Sequence, residues 1–95
     1  MQLQDILNVV STTTNQHESL IVGNSRKDKI VTARFLYFYL SKKHTKHTAS
    51  EISNFVNRKD KTYFHALKKV EHWKKYDRDF RALFETINNQ LSLFK

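Results

Sequence analysis

Proline is absent from this chain, and glycine occurs once, at Gly23. Tight turns between strands draw heavily on both residue types, so a chain without them is poorly equipped to build a sheet. The expectation is helices joined by short polar connections. A length of 95 residues fits one domain around one modest core. Seven Phe, four Tyr and one Trp can fill much of that core, and their number sets the chain apart from disordered sequences. The predicted fold is therefore all-α, a small bundle of about five to six helices in a single domain over residues 1–95.

Helical spacing can be read along most of the chain. Leu3, Ile6, Leu7 and Val10 follow the i, i+3, i+4, i+7 rule of one buried face. The polar run from Ser11 to Asn15 predicts the end of that helix. His17 to Val22 predicts one further short turn, stopped by Gly23-Asn24. A longer helix is expected from about Lys27 to Lys43, with Ile30, Ala33, Leu36, Phe38 and Leu40 on its buried side. Phe35, Tyr37 and Tyr39 add apolar surface around it, which predicts a central place in the bundle.

The second half is punctuated more sharply. Thr48-Ala49-Ser50-Glu51 has the form of a capping box, with Thr48 as N-cap and Glu51 at N3. Ile52, Phe55 and Val56 give the short helix after it an apolar face. Asn57-Arg58-Lys59-Asp60 interrupts the pattern, and Asp60 is expected to cap a helix from about Lys61 to Lys75. Asp77 is expected to cap a last helix over residues 77–94, whose stripe is Phe80, Leu83, Phe84, Ile87, Leu91 and Phe94.

Charge is concentrated as well as high. The net charge is +8. From Asn24 to Lys75 there are 14 basic and 4 acidic residues, a net of +10, whereas the flanks together carry −2. A clustered positive region favours a polyanion, because each phosphate it contacts releases condensed counterions. Within this region a short helix, a turn of about four residues and a longer basic helix make a helix-turn-helix candidate.

The same residues resemble a known family. Ser25-Arg26-Lys27-Asp28-Lys29-Ile30-Val31-Thr32-Ala33-Arg34 looks like the basic loop and helix start of the C-terminal DNA-binding domain of the bacterial replication initiator DnaA. Phe35 to Leu40 continues like that family's aromatic helix. Ala49-Ser50-Glu51-Ile52, followed by Asn57 to Val70, resembles its signature, which runs from P-E-I-G through G-R-D-H-T-T-V to L-H-A-x-x-K-I. Thr62, His65, Ala66, Lys69 and Val70 fall in place, and Arg58 matches. An ungapped alignment sets Lys59, Asp60 and Lys61 at the family's Asp, His and first Thr; a shift of one residue sets Asp60 at the Asp. The close resemblance spans residues 21–70.

The resemblance implies a Trp-repressor-like helical fold and recognition of a short duplex sequence at replication origins. It implies a major-groove role for the second helix of the motif and a minor-groove role for Arg34. The residues themselves suggest the remaining roles. Arg26, Lys27, Lys29, Thr62, Lys68 and Lys69 are candidates for phosphate contacts, which position without reading sequence. Arg58, Lys59 and Lys61 can donate to guanine O6 and N7, and Asp60 can accept from a cytosine amine or serve only as a cap. The expected partner is double-stranded DNA, with no membrane.

Other chemistry has less to stand on. With no Cys, disulfides and thiolate metal sites are excluded, and a reducing compartment fits. His44 with His47, and His65 with His72, share helical spacing, but no carboxylate cluster accompanies them, so no metal is expected. There is no nucleophile–base constellation and no G-x-x-x-x-G-K-[ST] loop, so neither an enzyme nor a cofactor is expected. No signal-like start and no apolar run of about 20 residues is present, so the expected location is the cytoplasm of a bacterial or phage-infected cell. Two alternatives share the sequence: a transcriptional regulator of the same fold, and a protein-interaction module that dimerises or binds a partner through the C-terminal helix.

Overall fold

A computed structural model describes residues 1–93. It contains six helices among them: α1 (Leu3–Thr14), α2 (Glu18–Val22), α3 (Asp28–His44), α4 (Ala49–Phe55), α5 (Asp60–Tyr76) and α6 (Arg78–Ser92). No strand occurs among the described residues, as expected for a chain with one Gly and no Pro. None of these helices is long and apolar enough to cross a membrane.

The helix α3 is the axis of the molecule and packs against the other five. Leu36, Tyr37, Phe38 and Leu40 are completely buried, so this helix has apolar contacts on nearly every side. The face predicted for α1, Leu3 with Ile6, Leu7 and Val10, is buried against it. The hydroxyl of Tyr37 donates to the Ile52 carbonyl at 2.9 Å, which satisfies a buried polar group and ties α4 to α3. Burial raises the Tyr37 pKa well above the ordinary phenol value. The hydroxyl of Tyr39 donates to the Glu71 carboxylate and accepts from Lys74, joining α3 to α5.

Several boundaries follow their sequence signals. Thr48 and Glu51 form the capping box: Glu51 N–H donates to Thr48 Oγ1 at 3.1 Å, and Thr48 N–H donates to Glu51 Oε1 at 2.8 Å. Asp77 alone separates α5 from α6. Its N–H closes α5 on the Trp73 carbonyl, and its side chain accepts from Phe80 N–H. Arg81 then donates to the Lys74 and Lys75 carbonyls, satisfying the exposed end of α5.

One boundary differs from expectation, and one follows it for a reason the sequence did not show. The first helix runs through the polar run to Thr14 and ends on Asn15, whose φ of 57° is left-handed. Thr14 Oγ1 bonds back to the Val10 carbonyl there, so a polar residue continues the helix rather than breaking it. Gly23, by contrast, closes α2 with φ −75°. Glycine is required there by proximity, because a Cβ would lie 2.9 Å from the Ser19 carbonyl oxygen.

The apolar stripe of α6 is consumed within the chain. Phe80, Phe84, Ile87 and Leu91 are buried in the common core, and Leu83 packs at its edge. Phe94 lies outside the described residues. Trp73 is half-buried, stacked on Phe35 with centroids 5.8 Å apart and meeting Phe80 edge-on at 5.2 Å.

Candidate nucleic-acid interface

The helix-turn-helix is built by α4 and α5 and joined by Val56 to Lys59. Its turn has a specific geometry. Asn57 is left-handed, with φ 55°. Asn57 N–H donates to the Asn54 carbonyl, and Arg58 N–H donates to the Ser53 carbonyl at 2.9 Å. That pair of bonds is a Schellman motif, in which Asn takes the position usually filled by Gly. The sharp turn swings Arg58 across to α2, where its guanidinium donates to the Gly23 carbonyl and also to the carbonyls of Val56 and Asn57.

Asp60 is not the cap of α5. Lys59 occupies the N-cap position with extended backbone and makes no side-chain cap. Asp60 is the first helical residue, and its carboxylate accepts from Ser50 Oγ at 3.1 Å instead of from its own backbone. The first turn of α5 therefore has no side-chain acceptor for its leading backbone N–H groups, although Asp60 places a negative charge beside them. The same holds at α3, whose N-cap is Lys27, again without a side-chain cap. Of the other four helices, α2, α4 and α6 have side-chain caps from His17, Thr48 and Asp77, and at the start of α1 the Asp5 carboxylate accepts from Gln2 N–H. Uncapped N-termini beside lysines attract anions through both the amides and the helix dipole.

On α5, Tyr63, Ala66 and Val70 face the core. Lys61, His65, Lys68 and His72 are exposed and fall within about 60° of arc on the opposite face at 100° per residue. Lys69 is exposed on one flank and Thr62 is half-buried. Of the adjacent aromatic pair, Tyr63 is core and Phe64 is 54% exposed. His65 also meets Phe35 edge-on at 5.8 Å, so it braces α5 on α3 while presenting its rim to solvent.

Arg34, to which the resemblance gives a minor-groove role, packs behind the loop ahead of α3. It is buried, only 5% exposed. Its Nε donates to the Ile21 carbonyl at 2.7 Å, and its Nη2 donates to the carbonyls of Leu20, Gly23 and Ser25. Entering a minor groove from this position requires breaking those bonds. As it stands, Arg34 clamps the segment between α2 and α3. Burial first, and the neighbouring Arg58 charge second, lower its pKa to about 10; it remains a cation at neutral pH.

The structure gathers Arg26, Arg34 and Arg58 around one polar cleft, together with Asn24, Ser25 and Asn57. Lys59, Asp60 and Lys61 are exposed at the start of α5. Lys27 is exposed at the N-cap of α3. Lys29 lines a different cleft, with Thr13, Gln16 and Leu83, on the side of α1 and α6. Sequence reasoning overlooked Asn24 and Asn57. For Asn57 the available signal was an Asn directly after a short amphipathic helix, which favours the left-handed cap.

No group of three or more His, Asp and Glu side chains is positioned to hold a metal ion among the described residues.

Comparison with known proteins agrees with this geometry. Residues 3–70 match the family model described as bacterial dnaA protein helix-turn-helix. The chain is 38% identical over 90 residues to the chromosomal replication initiator protein DnaA of Bacteroides fragilis, covering 94% of this chain and 19% of that protein. It is 36% identical over 90 residues to the protein of that name from Bacteroides thetaiotaomicron, with the same two coverages. With the Nautilia profundicola counterpart it shares 31% over 94 residues, 98% of this chain and 22% of the relative. The chain thus spans about a fifth of the length of these relatives. On the family match and these identities, the chain belongs to the bacterial DnaA helix-turn-helix family.

Proposed function

We propose that this chain binds double-stranded DNA in a sequence-specific way, at origin-type sequences, and acts in the initiation of replication or its control. The observation that carries the reading is the basic surface made by the loop ahead of α3 and the first turns of α5. Both helices start without a side-chain cap and with a lysine at the N-cap, an arrangement suited to backbone phosphates. In this reading α5 lies in the major groove. Lys59 and Lys61 donate to base edges, and Asp60, held by Ser50, is available to accept from a cytosine amine. Arg26, Lys27 and Lys68 hold phosphates, with Thr62 and Lys69 on the flank. The site of action is the cytoplasm, where the chromosome lies. That the relatives are chromosomal replication initiator proteins supports the replication context.

Fluorescence anisotropy tests this reading. A labelled duplex carrying a DnaA box is competed with unlabelled box and with unlabelled scrambled duplex. The scrambled competitor is expected to be at least about tenfold weaker, and Lys61→Ala is expected to cost about 1–3 kcal/mol of binding on the box. Equal competition by both duplexes contradicts sequence-specific binding.

A further inference from the structure

The polar cleft between the loop ahead of α3 and the helix-turn-helix turn gathers positive charge with no carboxylate in its lining. That lining includes three arginines, two asparagines and a serine. It encloses about 510 Å³ and is open to solvent. Among the described residues no carboxylate forms an ion pair with Arg34 or Arg58; their partners are neutral carbonyls. Two guanidinium groups thus sit close enough to repel one another, one of them 95% buried, since 5% is exposed. A buried charge without a counter-charge is costly and is retained where something else supplies the opposite sign.

The two arginines also share an acceptor. Arg34 and Arg58 both donate to the Gly23 carbonyl, from residues 11 and 35 positions away in sequence. One wall of the cleft, Asn24 to Arg26, is fixed by Arg34 through the Gly23 and Ser25 carbonyls. The other wall is fixed by the Schellman turn at Asn57. Both walls are therefore tied down by hydrogen bonds within the chain, and such preorganisation lowers the entropic cost of filling the cleft. Arg34 has spare capacity as well: Nε and Nη2 are engaged, while Nη1 makes no hydrogen bond among the described residues.

We propose that this cleft is a preformed seat for one phosphodiester of duplex DNA, held jointly by Arg26, Arg34 and Arg58. It rests on the DNA-binding reading and deepens it. The anion neutralises the paired guanidinium groups and fixes the start of α5 in register with the loop ahead of α3. Arg34 acts here from within the protein, as one of the groups that hold the phosphate.

A carboxylate built into the seat mimics the bound anion and separates this role from general electrostatics. Asn57→Asp is nearly isosteric and keeps a residue type that tolerates the left-handed region. Ser25→Asp places the same charge on the opposite wall and can still accept from Lys27 N–H, as Ser25 does. Asn89→Asp, exposed on α6, changes the net charge equally and serves as the control. Thermal melts and duplex anisotropy over a series of salt concentrations are recorded for all three and for the unaltered chain.

The seat predicts melting temperatures for Asn57→Asp and Ser25→Asp that equal or exceed that of the unaltered chain. It also predicts duplex affinity at least about tenfold lower, and a logarithmic salt slope shallower by about 0.9, the share of one phosphate. Asn89→Asp is expected to change affinity less than about twofold and leave the slope alone. Equal losses and equal slopes for all three aspartates overturn the seat while leaving duplex binding intact. Lower melting temperatures for both cleft aspartates overturn it too. Absence of duplex binding by the unaltered chain overturns both the seat and the reading beneath it.

Discussion

At Arg34, one guanidinium serves four carbonyls. Arg34→Met retains the length of the stem but strands those oxygens, so it is expected to cost about 2–4 kcal/mol in a urea titration. A solvent-facing, groove-reading arginine predicts a change within about 0.5 kcal/mol, so the same titration tells the two apart. The sequence could place Arg34 near the basic loop. It could not show burial, because the four acceptors are backbone oxygens from a segment 9 to 14 residues away. Asn57 is a second residue-scale case. Its left-handed φ of 55° predicts that Asn57→Gly is close to neutral and that Asn57→Val loses about 1–2 kcal/mol, measured by thermal denaturation. Asp60 teaches the same lesson: its type suits a cap, but Ser50, ten residues earlier, offers it a different partner.

Among the elements, α4 was the most legible, because its start is written as four consecutive residues that bond one another. Thr48→Ala is expected to cost about 1 kcal/mol. The Thr48 backbone N–H, donating to Glu51, is the first cause holding that carboxyl below its ordinary value. A lowered folded-state pKa means the contribution is present above the ordinary value and lost as pH falls through the lowered one. The difference in melting temperature between the unaltered chain and Glu51→Gln should accordingly shrink towards zero in acid. The last helix was legible as an amphipathic stripe but not by its destination, since an apolar stripe looks the same whether it meets its own core or another chain. Its burial in the common core predicts that Ile87→Ala costs about 2–5 kcal/mol in denaturant unfolding. An unchanged midpoint contradicts that placement.

For the whole molecule, the fold class followed from what the chain lacks, and the position of the charge followed from where lysines and arginines cluster. The three-dimensional structure adds which of those charges converge. It sets Arg26, Arg34 and Arg58 together and sends Lys29 to another side. These separations come from the packing of α3 against its neighbours, which no local pattern encodes. The central claim is that one face, the loop ahead of α3 with the turn and outer ridge of α5, is the duplex-binding surface. Backbone amide NMR shifts during titration with a DnaA-box duplex test it most directly. The account predicts the largest changes at Asn24 to Lys27 and at Asn57 to Lys68, with α6 from Glu85 to Ser92 nearly unmoved. Changes centred on α6, or on the cleft between α1 and α6 beside Lys29, would contradict it.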